Sequence, residues 1–153
     1  MPLVDLIDET YVAAPPAALA ARLRDPALWR AWWPDLELTV FQDRGDAGVR
    51  WTVTGALVGT SEVWLEPAAD GTVLHYYLRA DPTARRSATR PIEGDPRRLE
   101  RLARRIARAH AVALKRRVNA LKDELEAGRP VGMPPAGPPA PEPVKPDADP
   151  AES

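Results

Sequence analysis

The chain has 153 residues, no cysteine and a formal net charge of −1. Without cysteine it can form no disulfide, thiolate metal site or catalytic thiol. The length suffices for one domain with a hydrophobic core. The sequence shows neither a signal-peptide pattern nor an apolar run of about 18 residues, so we expect no transmembrane segment and a cytoplasmic location.

The N-terminal residues predict one strand followed by two short helices. Apolar and polar residues alternate over 3–13, which is typical of a strand. The strand ends before Pro16, and a short helix follows that stops near Asp25, because a residue preceding proline resists the α conformation. A second short helix is predicted over 27–33, before Pro34.

The middle of the chain changes to a period of two residues, which indicates β-strands. Strands are predicted near 36–40, 49–54, 60–66 and 72–79, joined by short turns. Short connections of this kind favour an antiparallel meander over βαβ units. With the first strand, the sequence predicts an antiparallel sheet of about five strands.

A long amphipathic helix is predicted from Pro96 to the residue before Gly128. Asp95 is a suitable N-cap, and Gly128 with Pro130 behind it is a stop signal. Its apolar residues recur in steps of three and four, which places them on one face. They are Leu99, Leu102, Ile106, Ala109, Ala113 or Leu114, Val118, Leu121 and Leu125.

The same helix carries most of the basic charge of the chain. The basic residues are Arg97, Arg98, Arg101, Arg104, Arg105, Arg108, Lys115, Arg116, Arg117 and Lys122. We interpret them as a solvated outer face that pairs with acidic neighbours, and we expect no nucleic-acid partner. Docking on an acidic partner, nucleic acid or an anionic membrane is the alternative. Asp5, Asp8 and Glu9 are expected to be exposed charges on an edge strand.

Residues 129–153 differ in composition from the rest of the chain. They are rich in proline, alanine and acidic residues and offer almost nothing large and apolar to bury. Such a segment cannot offset its ordering entropy, so the sequence predicts a disordered tail. The folded domain is expected to comprise residues 1–128.

Two motifs carry a resemblance to a known family. The first is an alanine-proline, short-helix, Trp-Trp-Pro segment formed by Ala14, Pro15, Asp25, Pro26, Trp32, Trp33 and Pro34. The second is a hairpin formed by Trp64, Glu66, Pro67, Asp70, Gly71 and Thr72. With the order of elements, over residues 3–127, the chain resembles small bacterial members of the START-like (SRPBCC) polyketide cyclase/dehydrase and lipid transport superfamily. The resemblance implies an α+β helix-grip fold with a hydrophobic cavity between sheet, long helix and short helices.

The candidate site residues are the aromatic and apolar side chains that such a cavity would use. The ligand-binding candidates are Trp32, Trp33, Leu38, Val40, Trp51, Val53, Trp64, Tyr76, Leu78, Leu102, Ile106, His110 and Leu114. His110, Tyr76 and Arg79 are weak catalytic candidates. His75 is expected on the outer face, since it alternates with Leu74 and Tyr76. We expect no metal site and no cofactor, because the two histidines lack nearby carboxylates in sequence and no phosphate-binding glycine loop is present.

Three functions remain open at this point. The leading hypothesis is binding or transport of a hydrophobic small molecule or lipid, without catalysis. The alternatives are a polyketide cyclase/dehydrase-type enzyme, and a non-catalytic scaffold whose basic helix docks on an acidic partner. The sequence leaves the oligomeric state open.

Overall fold

The computed structural model describes residues 2–126. Within them the chain forms β1 (Val4–Val12), α1 (Pro16–Leu23), α2 (Pro26–Trp32), β2 (Leu36–Asp43), β3 (Gly48–Gly55), β4 (Leu57–Ala68), β5 (Gly71–Pro82) and α3 (Pro96–Glu126). The expected tail at 129–153 and the expected domain end at 128 lie outside the described residues.

The strands form one open antiparallel sheet in the order β1-β5-β4-β3-β2. The meander β2 to β5 is therefore continuous, and β1 adds beside the last strand. With α3 and the two short helices after β1, this is the predicted α+β helix-grip fold. It also places Asp5, Asp8 and Glu9 on an edge strand, where Asp5 and Glu9 are exposed as expected, whereas Asp8 is half-buried and contacts Lys115 of α3.

The core lies on one face of the sheet, which we call the inner face. Alternate residues of β4 and β5 point into it, so Val63 and Leu65 are buried opposite Tyr76 and Leu74. Helix α1 adds its own apolar side to this core, where Leu19 is completely buried. One face of an antiparallel sheet must be covered in this way, whereas the other can face water.

Helix α3 is the longest element and covers part of the inner face. It starts at the predicted N-cap, where Asp95 Oδ2 accepts from the Arg98 N–H at 3.4 Å. Its 31 residues span about 46 Å. The predicted stripe is buried in the C-terminal half, at Leu114, Val118 and Leu121, whereas Ile106 towards the N-terminus is only half-buried. The two halves of α3 therefore pack differently.

Polar contacts fasten the C-terminal half of α3 to β1, the strand that it approaches most closely. Lys115 Nζ lies 3.1 Å from Asp8 Oδ1, and Lys122 Nζ donates to the Tyr11 carbonyl at 2.9 Å. Glu126 Oε1 accepts from the Ala13 N–H at 3.0 Å. Lys115 and Lys122 thus pair with the acidic residues Asp8 and Glu126, as expected for basic residues of this helix.

A tight turn between β3 and β4 brings the chain under α3. Gly55 adopts a φ of 111°, a conformation that L side chains rarely adopt, and a Cβ there would collide with the Asp35 carbonyl oxygen. The Ala56 N–H donates to that same oxygen at 3.0 Å. The turn is therefore held against the start of β2, and it positions Ala56 and Leu57 beneath the helix.

We expect the Leu114→Ala variant to lower the free energy of unfolding by about 2–5 kcal/mol, because Leu114 is only 1% exposed and truncation leaves a cavity. Val112→Ala on the same helix is the matched control. Val112 is 56% exposed, so its truncation should change stability by less than about 0.5 kcal/mol. Urea unfolding of both variants measures this difference. Equal effects would show that α3 does not pack through Leu114.

Candidate functional site

An open groove of about 410 Å³ lies between α3, the α2–β2 connection and the β3–β4 turn. The middle of α3, from Ile106 to Arg117, forms one wall. Most of the lining is aromatic or aliphatic, with Asp35, His110 and Arg117 as its charged or titratable members. The lining residues are Trp32, Trp33, Pro34, Asp35, Leu36, Ala56, Leu57, Ile106, Ala109, His110, Ala113 and Arg117.

A stack of three flat groups forms the polar end of the groove. The imidazole of His110 stacks on the indole of Trp33, with ring centroids 3.7 Å apart and planes inclined by 9°. The guanidinium carbon of Arg117 lies 4.6 Å from the Trp33 ring centroid, a cation–π contact. His110 and Arg117 are seven residues apart on α3, so the helix repeat brings both to the same indole.

Tyr76 reaches this stack from the sheet below. Its hydroxyl lies 2.8 Å from His110 Nε2. Burial raises the pKa of Tyr76 above its ordinary value, so the phenol stays protonated. Burial, and secondly the charge of Arg117, lowers the pKa of His110 to about 4. At neutral pH His110 is therefore an uncharged imidazole whose Nε2 shares a hydrogen bond with the Tyr76 hydroxyl.

The structure brings five of the sequence-predicted site residues together. Trp32, Trp33, Ile106 and His110 line the groove, and Tyr76 is hydrogen-bonded to His110 directly beneath it. Four other candidates are buried in the core instead of lining this groove. These are Trp51, Val53, Leu78 and Leu114.

Two predicted site residues lie on the opposite, outer face of the sheet. Trp64 pairs with His75 in the β4–β5 register and stacks on it at 4.3 Å, with 38% of its surface exposed. Arg79 is exposed there and lies 3.6 Å from Asp5. Trp64, predicted to line the pocket, and Arg79, a catalytic candidate, do not reach the groove, because the inward positions of these strands are held by residues such as Val63 and Leu78. The outward orientation expected for His75 is confirmed.

Three further candidates do not reach the groove either. Leu38 and Val40 pair with core residues of β3, but β2 is an edge strand and Val40 is 42% exposed. Leu102 lies beyond Ile106 along α3, in a separate depression with Leu99 and Ile92. Their assignment to one pocket is wrong because the groove extends along only part of the sheet and helix.

Sequence reasoning missed eight of the twelve residues that line the groove. The missed residues are Pro34, Asp35, Leu36, Ala56, Leu57, Ala109, Ala113 and Arg117. The sequence did carry a signal for Arg117, because it lies two helical turns from His110 and therefore on the same face of the helix. Ala56 and Leu57 carried no such signal, since a turn that supports a groove looks like any other turn in sequence.

The basic residues of α3 divide between two environments. Lys115 and Lys122 contact β1, whereas among residues 2–126 no ion pair reaches the exposed arginines of the N-terminal half. Those arginines are Arg97, Arg98, Arg101, Arg104, Arg105 and Arg108. The described part of the chain holds no metal-binding cluster of three or more His, Cys, Asp or Glu. Over the same residues no helix combines the length and apolarity needed to cross a bilayer.

Comparison with protein-family models finds no match, and comparison with curated proteins finds none. Solved structures do resemble the chain. The protein DR_A0006 from Deinococcus radiodurans gives a TM-score of 0.55 at 14% identity, over 82% of this chain and 98% of that one. The Aha1 dimer from Colwellia psychrerythraea gives a TM-score of 0.52 at 16% identity, over 83% of this chain and 99% of that one. The protein Ms6760 from Mycobacterium smegmatis gives a TM-score of 0.47 at 15% identity, over 78% of this chain and 90% of that one.

At these identities the similarity to the first two proteins shows a shared fold and does not show a shared function. Both cover nearly the whole of the other chain, so the fold is shared along its length and not in one supersecondary unit. The chain therefore has an α+β helix-grip fold, with its groove between the sheet and the long helix.

The lowered pKa of His110 predicts a pH-dependent stability. The folded pKa of about 4 lies below the ordinary 6.5, so the unfolded chain binds the proton more readily as the pH falls. Stability should drop from about pH 6.5 towards about pH 4, by up to about 3 kcal/mol from this group. The control is His110→Gln, which keeps an acceptor for Tyr76 but cannot titrate. Urea unfolding between about pH 7 and pH 5 should show the two proteins converging, and a constant difference would contradict the assignment.

Proposed function

We propose that the chain binds a hydrophobic small molecule or lipid in the groove between α3 and the sheet. The observation that carries this proposal is the groove itself. Its volume of about 410 Å³ falls in the range of small-molecule sites, about 300–1,000 Å³. Its walls combine a large apolar area with a few convergent polar groups, the composition that such sites share.

The aromatic residues at one end suit a flat or chain-like apolar guest. Trp32 is half-buried, so a guest that covers its ring removes apolar surface from water, whereas Trp33 is already buried and forms part of the wall. Opposite them, Ala109 and Ala113 present only methyl groups and leave room above the sheet. A larger residue at either alanine would occupy the space that we assign to the ligand.

We also infer that the chain is a member of the START-like (SRPBCC) superfamily. The inference is supported by the Trp-Trp-Pro and Trp-x-Glu-Pro motifs together with the helix-grip fold. In the fold, the first motif contributes Trp32, Trp33 and Pro34 to the groove wall, whereas the hairpin motif ends β4 and begins β5 away from the groove.

An apolar guest should bind saturably, with a dissociation constant below about 100 μM, and should raise the unfolding midpoint as its concentration exceeds that constant. Tryptophan fluorescence and thermal unfolding measure the two effects with 1-decanol, a sterol and a polycyclic aromatic ketone. We expect Ala113→Phe, which fills the groove, to weaken binding at least about tenfold. Ala120→Phe, at an exposed position on the same helix, is the matched control.

The proposal fails if no compound in this panel binds below about 100 μM. It also fails if Ala120→Phe weakens binding as much as Ala113→Phe, since the binding surface would then lie elsewhere on α3. Thermal unfolding of the free variants shows whether each one is folded, which separates loss of the groove from loss of the protein.

A second candidate, a polyketide cyclase/dehydrase-type enzyme, is favoured by the Tyr76–His110 hydrogen bond. A neutral imidazole that accepts at Nε2 presents its Nδ1–H as a donor, and such a donor polarises a ketone oxygen and assists enolisation. If this is the function, His110→Gln should abolish turnover of a poly-ketone analogue while its binding persists. Product analysis by mass spectrometry tests this, and unchanged turnover in His110→Gln would exclude His110 from catalysis.

A further inference from the structure

We propose that the ligand is an amphiphilic anion, a carboxylate on an apolar body, and that Arg117 binds the carboxylate while the body lies along Trp32 and Leu36. The inference deepens the proposed function and rests on it, because it names the chemical class of the occupant. It is carried by the environment of Arg117, by the position of His110 in the groove lining and by the distribution of charge around the groove.

Arg117 differs from the other arginines of α3. It is half-buried, lines the groove and stacks on Trp33, whereas the arginines of the N-terminal half of α3 are exposed. Among residues 2–126 its guanidinium makes no ion pair and no hydrogen bond. A guanidinium stacked by its face keeps its N–H donors free in the plane, in the fork geometry that a carboxylate matches.

His110 is a second polar group at the same place. It lines the groove, and its Nε2 is hydrogen-bonded to the Tyr76 hydroxyl. Its Nδ1 makes no hydrogen bond within residues 2–126 and is not among the fully buried unpaired atoms of those residues, so it keeps some access to solvent or to a guest. In the tautomer that carries the hydrogen on Nδ1, His110 can therefore donate as well.

The charges around the groove favour an anion over a cation. Asp35 is the one carboxylate in the lining, and its exposed position lets water screen it. On the far side of Ala109 and Ala113 lies a second depression of about 500 Å³, whose basic residues are Arg105, Arg108 and Arg116. The two depressions share both alanines, so an anion that approaches the groove from this side crosses a positive surface.

The experiment compares three ligands that share one alkyl chain and differ in head group. These are decanoate, 1-decanol and decylammonium, titrated by tryptophan fluorescence at about pH 7.5, where the acid is ionised and the amine protonated. We expect decanoate to bind at least about tenfold more tightly than 1-decanol, and decylammonium to bind more weakly than both.

Arg117→Gln should reduce the preference for decanoate over 1-decanol to less than about threefold while leaving the affinity for 1-decanol nearly unchanged. The matched control is Arg104→Gln, which removes the same charge from an exposed position on α3 outside both depressions. Asp35→Asn should keep or increase the preference. An independent readout is NMR titration of His110, because a carboxylate beside Arg117 should raise the His110 pKa whereas the alcohol should not.

The outcomes separate this inference from the proposed function. Equal affinities for decanoate and 1-decanol, or a preference that survives Arg117→Gln, would overturn the anion inference and leave the groove as an apolar site. Tightest binding by decylammonium, weakened by Asp35→Asn, would overturn it in favour of a cation. If Arg117→Gln is unfolded, Arg117→Lys replaces it and should retain part of the preference. If none of the three ligands binds, both proposals fall.

Discussion

The attachment of α3 to an edge strand is the constraint on which the rest of the structure depends. Lys115, Lys122 and Glu126 fix the C-terminal half of the helix to β1 through backbone and carboxylate contacts. The buried residues of that half continue the core, so the angle of the helix over the sheet is set at one end. Towards the other end Ile106 is only half-buried, and the space that remains is the groove. The packing of α3 against the sheet thus produces both the buried core and the open groove.

Burial beside the groove determines the protonation of the titratable side chains there. Burial lowers the pKa of His110 and raises that of Tyr76, so both groups are uncharged at neutral pH. The charge of Arg117 adds to the shift of His110, and no ion pair to Arg117 is found within residues 2–126. The groove is therefore apolar along its walls and electropositive at one end.

The order of elements and the sheet topology could be predicted from sequence, because period, caps and proline positions are local signals. The candidate site could be predicted only in part, because side-chain direction depends on register. Trp64 looks like a pocket residue by composition, yet its pairing with His75 turns it to the outer face. Val40 pairs with the buried Trp51 but lies on the edge strand β2, where it is 42% exposed. Ala113 was uninformative in sequence, since its role is the space that a small side chain leaves.

The basic residues of α3 differ in type according to what they contact. The basic residues that attach α3 to β1 are lysines, because a flexible ammonium reaches a carboxylate at Lys115 and a backbone oxygen at Lys122. The other basic residues of α3 are arginines, and Arg117 alone among them combines groove lining with a contact to an aromatic ring. In this arrangement Tyr76 is hydrogen-bonded to the imidazole of His110, the imidazole stacks on Trp33, and Trp33 contacts the guanidinium at one end of the groove.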